Sequence, residues 1–222
     1  MAIIVKVGLL SGKTATVAVD LEDDVQTLKL RAEIALGVGR GRLLDSSGSF
    51  LDSSAQINNT GLKTGDSLTL HIGRGQSCAT IAAFATILGD GSVVTWGDAN
   101  CGGDSTAVQH QLKNVQHIQA TNGAFAAILR DGSVVTWGSA GAGDSRAVQD
   151  QLKNVQQIQA ANSAFAAILR GGSVVTWGCS EFGGDSSAVR DQLKNVQQIQ
   201  ATEYAFAAIL GDGSVVTWGH AE

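Results

Sequence analysis

The segment FAAILRDGSVVTWG (125–138) sets the architecture of most of this chain, because it is written four times with small changes. The other copies are FATILGDGSVVTWG (84–97), FAAILRGGSVVTWG (165–178) and FAAILGDGSVVTWG (206–219), at start-to-start spacings of 41, 40 and 41 residues. Self-similarity at such a period is typical of repeat architectures, in which each unit buries its apolar face against a neighbour. Repeat arrays often serve as binding surfaces, so a catalytic site would need specific support.

Each repeat is predicted to contain three strands. Residues 125–129 are short and apolar, an Asp-Gly hairpin turn follows, and residues 133–138 are rich in β-branched side chains. Residues 144–152 carry two apolar side chains four positions apart behind a Ser or Asp cap, which predicts about two helical turns. Residues 154–160 alternate apolar and polar side chains, as a half-buried strand does.

Positions that differ between the copies fall in two loops, one after Trp-Gly and one before Phe. Shared apolar positions are expected to be packing, whereas variable loops are where a repeat scaffold diversifies its contacts. We therefore predict that the repeats bind proteins through loop residues Asn100, Cys101, Asn122, Ala140, Asn162, Glu181, Phe182, Glu203 and Tyr204.

The first 73 residues contain no repeat and predict a separate unit. Alternating stretches at 3–7 and 14–19 predict a hairpin, and Asp24 is expected to cap a helix that ends at Gly37. Short strands are predicted at 42–44 and 67–72. The predicted order is strand, strand, helix, strand, short elements, strand.

That order and four local phrases give this segment a resemblance to ubiquitin. The phrases are MAIIVK (1–6), SGKT (11–14), RLL (42–44) and LTLH (68–71). The resemblance implies an α+β β-grasp fold and a face that binds ubiquitin-pathway receptors, at positions matching Leu9 or Leu10, Leu44 and His71. The alternative is a folding or docking module with a degraded face. Conjugation is not expected, because Gly73-Arg74-Gly75-Gln76 continues into the repeats.

The repeat phrase Ala-Ile-Leu-x-Asp-Gly-Ser-Val-Val-Thr-Trp-Gly, followed by a Gly-rich loop and Val-x-x-Ile, resembles the regulator-of-chromosome-condensation repeat. The resemblance implies a β-propeller with one blade per repeat, and the short period is closer to a three-stranded variant seen in a bacterial β-lactamase inhibitor. We therefore predict a multidomain chain: a ubiquitin-like domain at 1–73, followed at 74–222 by an all-β, propeller-like domain of about four three-stranded blades. Since the family closes a ring with seven blades, we expect an open arc or a homo-oligomer that completes the propeller.

No group of residues predicts catalysis, a cofactor or a metal. The segment 8–14 imitates a phosphate-binding loop but has three residues between its glycines where four are required. The histidines, His71, His110, His117 and His220, lack the spacing of a zinc site. We expect no catalytic, cofactor-binding or metal-binding residue, and no enzyme activity.

Charge and cysteine usage limit the partners. The net charge is −5, and residues 77–222 hold seven Lys or Arg against twelve Asp or Glu, which argues against a nucleic-acid partner. Three cysteines without a pairing pattern fit free thiols, and no signal peptide or membrane-spanning run is evident. The expected location is the cytoplasm, with the nucleus as the alternative.

Two functions are consistent with these observations. The first is a non-enzymatic protein-interaction scaffold linked to ubiquitin signalling, similar to the non-catalytic parts of propeller-containing ubiquitin ligases. The alternative is a regulator of another enzyme, as a guanine-nucleotide exchange factor or an inhibitor, acting through the propeller loops.

Overall fold

A computed structural model describes residues 1–72 and 75–220, and the chain divides into two compact units. Unit 1 comprises Met1–Gly75 with Leu88–Asp90, and unit 2 comprises Gln76–Ile87 with Gly91–Glu222. The predicted boundary between residues 73 and 74 lies outside the described residues. Among those residues, no helix is long and apolar enough to cross a membrane.

Unit 1 is a four-stranded mixed sheet with one helix. Its elements are β1 (Ala2–Gly8), β2 (Thr14–Asp20), α1 (Val25–Leu36), β3 (Arg42–Leu44), a 3-10 turn (Ile57–Asn59) and β4 (Ser67–His71). The sheet order is β2-β1-β4-β3, in which β1 and β4 run parallel and the other neighbours antiparallel. The elements follow the predicted order, while the ubiquitin-like assignment stays a prediction.

Local signals place α1 where the sequence predicts it. The Asp24 carboxylate accepts a hydrogen bond from the Thr27 N–H at 2.8 Å, which satisfies a free donor of the first turn. Gly37 ends the helix at φ 62°, a left-handed conformation that glycine adopts without strain. Leu28 and Leu36, on the buried side, pack into the core that the helix shares with the sheet.

Unit 2 consists of four three-stranded antiparallel sheets, one per repeat, numbered 1 to 4 in chain order like the repeats. Sheet 1 is β5 (Gln76–Ala79), β6 (Ala83–Ile87) and β7 (Val93–Gly97); sheet 2 is β8 (Val115–Ala120), β9 (Ala124–Leu129) and β10 (Val134–Gly138). Sheet 3 is β11 (Val155–Ala160), β12 (Ala164–Leu169) and β13 (Val174–Gly178); sheet 4 is β14 (Val196–Ala201), β15 (Ala205–Leu210) and β16 (Val215–Gly219). The predicted all-β character of the repeats and their three strands each are confirmed.

Within each sheet, the hairpin between the second and third strands fixes the register. Gly132 takes φ 79° in the Asp-Gly turn, and the register pairs Phe125 with Trp137. Their rings stack at 5.1 Å between centroids. The same Phe and Trp positions stack in all four sheets, because the four hairpins have nearly the same sequence.

The prediction of two helical turns over 144–152 is corrected by the structure, which has turns followed by a 3-10 helix at Gln149–Gln151. Val148, at φ −121°, interrupts helical geometry after one turn. A short helix α2 (Ala140–Gly143) occupies the preceding loop. The other repeats carry 3-10 helices at Ala99–Cys101, Ser180–Phe182 and Ser187–Val189.

Every sheet of unit 2 has two different faces, which we call the aromatic face and the aliphatic face. In sheet 2 the aromatic face carries Phe125, Ala127, Val135 and Trp137, and the aliphatic face carries Ala124, Ala126, Ile128 and Val134. The aromatic face packs on the aliphatic face of the sheet before it, and this contact forms the cores between sheets 1 and 2, 2 and 3, and 3 and 4.

Candidate functional site

The two variable loops of each repeat lie at the same end of its sheet, which we call the variable end. The loop before Phe joins the first two strands, and the loop after Trp-Gly leaves the third strand beside it. In repeat 2 the Ser139 N–H donates to the Gly123 oxygen at 2.8 Å, and in repeat 3 Cys179 donates to Ser163 at the same distance. The antiparallel pairing therefore brings both sets of predicted residues together.

At the variable end, the loops before Phe of all four repeats border one depression of about 490 Å³. It is lined by the same three positions of each repeat: 79–81, 120–122, 160–162 and 201–203. Asn122, Asn162 and Glu203, predicted as binding residues, thus share one site. Ile81 holds the fourth equivalent place, and it was missed because repeat 1 has no Asn-Val strand by which to align it.

A ladder of backbone hydrogen bonds joins these loops. The N–H of Ile81 donates to the oxygen of Asn122 at 3.1 Å, Asn122 to Asn162 at 2.9 Å, and Asn162 to Glu203 at 2.9 Å. The side chains of Ile81, Asn122 and Glu203 remain exposed, and Asn162 is half-buried. The ladder fixes the backbone and leaves a row of four different side chains at the rim.

Threonines in the same loops have a structural role. Thr121 Oγ1 accepts from the Ala124 N–H at 2.9 Å and donates to the Ala124 oxygen at 3.2 Å. Thr80 and Thr202 make the same pair of bonds with Ala83 and Ala205. Because these hydroxyls form hydrogen bonds with the backbone of the turn, we expect specificity at the depression to come from the residue that follows each threonine, namely Ile81, Asn122 or Glu203.

The lining side chains define the chemistry of the depression. Glu203 supplies a carboxylate, Asn122 and Asn162 supply carboxamides, and Ile81 supplies an alkyl group. Among residues 1–72 and 75–220, no Lys, Arg or His lines this depression. The surface is therefore suited to a partner that donates hydrogen bonds or carries positive charge.

Some residues of the loops after Trp-Gly are not on the exposed surface, although the variation of these loops predicts that they are. Cys101 and Phe182 are half-buried and pack against the cores between sheets, and buried Ala142 holds the same place in repeat 2. Phe182 also stacks on Tyr204 at 5.4 Å between centroids. Part of the variation in these loops therefore reflects how each gap between sheets is filled.

Asn100, Ala140 and Glu181 are exposed at the variable end, in line with their predicted place on the surface. Ala140 borders a second depression, of about 250 Å³, together with Asp144 and Arg146. The Arg146 side chain, hydrogen-bonded to Asp144, lowers the pKa of that carboxyl to about 2. An Asp that stays ionised to such low pH accepts hydrogen bonds and is a poor general acid.

The loop after Trp-Gly in repeat 2 is one residue shorter than those in repeats 1 and 3. Seven positions separate Gly97 from Asp104, but only six separate Gly138 from Asp144, which accounts for the 40-residue spacing. Trp137 Nε1 donates to the Gly102 oxygen at 3.0 Å, and Trp218 Nε1 donates to the equivalent Gly183 oxygen at 3.0 Å.

Trp177 lies after the shortened loop, and its buried Nε1 has no hydrogen-bond partner among the described residues. In that loop α2 replaces the 3-10 turn, and a left-handed glycine like Gly102 (φ 90°) or Gly183 (φ 86°) is missing. The loop of repeat 2, which is one residue shorter, therefore does not supply a carbonyl acceptor like that of Gly102 or Gly183.

In unit 1, Leu44 and His71 lie on the outer surface of neighbouring strands β3 and β4. Leu44 is opposite Thr69, and His71 is opposite Arg42. Of the two candidates in the hairpin, Leu10 is 85% exposed while Leu9 packs against the core. Leu10 is therefore the one available to a partner.

Groups suited to metal or redox chemistry do not cluster. Within residues 1–72 and 75–220, no set of three or more His, Cys, Asp or Glu side chains is placed to hold a metal ion. The three cysteines are unpaired, and burial raises the pKa of the Cys78 thiol.

No family model and no curated protein matches the sequence. Among solved structures, human WBSCR16 is 18% identical with a TM-score of 0.47 over 65% of this chain and 47% of its own. Prp20p of Saccharomyces cerevisiae, described with its binding to Gsp1p and histones, is 21% identical with a TM-score of 0.46 over 65% of this chain and 43% of its own.

A designed protein based on ubiquitin is 21% identical with a TM-score of 0.29, over 31% of this chain and 85% of its own. The present chain spans less than half the length of the two natural proteins. These likenesses are too slight to assign a family or a function.

Proposed function

We propose that unit 2 is a non-enzymatic, propeller-type protein-binding scaffold that holds its partner at the variable end. The depression bordered by equivalent positions of all four repeats supports the proposal. A shared backbone ladder there presents a different side chain from each repeat, which is how a repeat scaffold acquires specificity.

The lining favours a partner segment with hydrogen-bond donors or a basic side chain. Glu203 is exposed at the rim and carries the negative charge, while two asparagines offer both donors and acceptors. The acidic balance of residues 77–222 would attract such a segment over longer range.

Affinity capture with the full chain tests this proposal. The immobilised wild type is compared with a variant carrying Asn122→Ala, Asn162→Ala and Glu203→Ala, which leaves the backbone ladder intact. The control carries Lys113→Ala, Lys153→Ala and Lys194→Ala, three exposed side chains at the opposite end of the sheets. Proteins retained by the wild type and the control should be lost from the site variant; equal retention by all three would rule the site out.

A second candidate function is regulation of a partner enzyme by exchange of guanine nucleotide or by inhibition. Prp20p is described as binding another protein, Gsp1p. We propose, as the alternative to a scaffold, that this chain also binds a partner protein and regulates it. A panel of small GTPases loaded with fluorescent GDP would test it. Accelerated release by the wild type, absent with the triple site variant, would support this candidate, and unchanged release across the panel would count against it.

For unit 1 we propose a ubiquitin-like docking domain whose surface includes Leu10, Leu44 and His71. Titrating the full chain with a helical ubiquitin-interacting peptide tests this role. Leu44→Ala should weaken binding by about tenfold, the loss of one apolar contact at a small interface. The exposed Ile34→Ala on α1 serves as a control for general effects of losing an apolar side chain. Equal binding by wild type and Leu44→Ala would dismiss the face.

A further inference from the structure

One kind of contact is repeated three times inside unit 2. The aromatic face of sheet 2 packs on the aliphatic face of sheet 1, where Phe125 and Ala85 are both 0% exposed. Sheets 2 and 3, and then sheets 3 and 4, meet in the same way. The structure therefore shows directly what covers an aromatic face in this chain: an aliphatic face made of Ala, Ala, Ile and Val.

Sheet 1 presents an aromatic face that no aliphatic face of the described residues covers. Phe84 and Trp96 are each 48% exposed, and Val94 is 40% exposed. Their counterparts in sheet 2, namely Phe125, Trp137 and Val135, are at most 7% exposed. The side chains are the same, so the difference comes from the missing neighbour.

Sheet 4 presents the complementary aliphatic face, on which no further sheet packs within residues 1–72 and 75–220. Ile209 is 38% and Val215 60% exposed, whereas the equivalent Ile128 and Val134 are 5% and 1% exposed. A Cβ added to Gly213 would meet no heavy atom within 4 Å. At the equivalent Gly132 it would lie 2.8 Å from Asn154 of the next repeat.

We propose that a second copy of this chain covers these surfaces head-to-tail, with the aliphatic face of its sheet 4 packed on the aromatic face of sheet 1. The two faces carry the same residue types as the faces in the three internal contacts, with one exception. On the aromatic face of sheet 1, Thr86 stands where sheet 2 has Ala127. Exposed apolar groups at both ends of one array are what such an interface would bury.

The backbone ladder at the variable end ends where this contact would continue it. Ile81, Asn122 and Asn162 each donate to the next repeat, but the N–H of Glu203 has no acceptor in the described part of the chain. In the proposed contact, the Ile81 oxygen of the second copy takes the place of the next acceptor. This interface is heterologous, so each copy uses two different surfaces and assembly closes a ring or extends as a chain. The face residues that carry this contact do not line the depression at the variable end, whereas Ile81 and Glu203 border it.

Solution mass and variant mixing test the proposal. Val94→Asp disables the aromatic face and Val215→Asp disables the aliphatic face. The wild type should exceed the single-chain mass of 22.8 kDa by light scattering, and each variant alone should fall to it. A one-to-one mixture should regain a two-chain complex, because one undamaged face of each kind is present. Leu10→Asp, at an exposed site in unit 1, should leave the wild-type mass unchanged.

Three results would overturn the proposal. The wild type could remain a single chain at about 100 μM, far above the dissociation constant of a specific interface. Loss of association in Val94→Asp alone would indicate two aromatic faces packed on each other, and failure of the mixture to recover would exclude head-to-tail pairing. Should either Asp variant not fold, Val94→Thr and Val215→Thr keep the side-chain shape and should weaken association about tenfold each.

Discussion

The indole Nε1 of Trp137 donates to the backbone oxygen of Gly102 at 3.0 Å and so joins the third strand of repeat 2 to a loop of repeat 1. Trp177 occupies the same place in repeat 3, and its Nε1 has no partner within the part of the chain that the structure describes. Both indoles are buried, at 7% and 3% exposure, so they differ in hydrogen bonding far more than in packing.

This difference predicts that Trp137→Phe lowers the free energy of unfolding of unit 2 by about 1 kcal/mol more than Trp177→Phe does. Both changes leave a similar cavity, but only the first breaks a buried hydrogen bond. Urea unfolding followed by tryptophan fluorescence measures it, since all four tryptophans lie in unit 2. Equal losses in the two variants would contradict the assignment of the bond.

Inserting one glycine between Ala142 and Gly143 should restore the loop length of repeats 1 and 3. We expect Trp177 to gain a carbonyl acceptor and unit 2 to be stabilised by about 1 kcal/mol, because the desolvation cost of an unpaired donor is removed. The same unfolding experiment measures the gain. The same insertion after Cys101 lengthens a loop that already supplies an acceptor, and it should destabilise.

Substitutions at Gly132 and Gly213 distinguish the cost of backbone strain from the cost of a clash with the next repeat. Both adopt positive φ, 79° and 85°, so Ala at either position costs about 1–2 kcal/mol for the left-handed conformation. At Gly132 the new Cβ would also lie 2.8 Å from the Asn154 Cα, whereas at Gly213 it meets open space. Gly132→Ala should therefore destabilise unit 2 clearly more than Gly213→Ala, as judged by unfolding midpoints at low protein concentration.

Asp24 predicts a pH dependence for α1. Hydrogen bonds from Thr27, first from its side chain and then from its N–H, hold the pKa of this carboxyl below the ordinary value of 3.8. The ionised cap therefore stabilises the folded state fully above that pH, and its contribution is lost as the pH falls through the lowered pKa.

Asp24→Ala should cost about 1 kcal/mol at neutral pH, while Asp24→Asn keeps a capping oxygen and should cost less. Amide exchange of Val25–Leu36 in the full chain reports the effect locally. The gap between wild type and Asp24→Asn should shrink at pH 3; a constant gap would argue that ionisation is irrelevant to the cap.

Much of the fold follows from local patterns. The repeated hairpin could be predicted because the apolar stretch, the Asp-Gly turn and the β-branched strand follow one another directly along the chain. The turns at 144–152 could not be predicted in this way. Val148 departs from helical geometry, and the Ser145 hydroxyl nearby is hydrogen-bonded to the side chains of Thr136 and Gln149. Two apolar residues four positions apart do not distinguish an α-helical turn from a 3-10 turn.

The residues of the candidate site could be proposed one by one from the sequence, but their arrangement could not, and their role in binding stays a prediction. Variation identified Asn122, Asn162 and Glu203, yet their convergence on one depression depends on how the sheets pack, which no local signal encodes. Variation also indicated Phe182, whose ring is partly used to fill the space between sheets 3 and 4. A sequence difference does not say whether a side chain faces a partner or a gap of altered size.

The close similarity of the three internal contacts has a consequence for how the array is ordered. Because the face residues are nearly the same in each contact, the connecting peptide decides more than side-chain recognition which sheets become neighbours. Duplicating or deleting one unit of about 41 residues would leave nearly the same face residues at each remaining junction, and the loop residue that fills the gap, such as Cys101, Ala142 or Phe182, would move with its unit. Array length is thus free to vary by recombination, and the same lack of discrimination exposes the nascent chain to pairing between the wrong units.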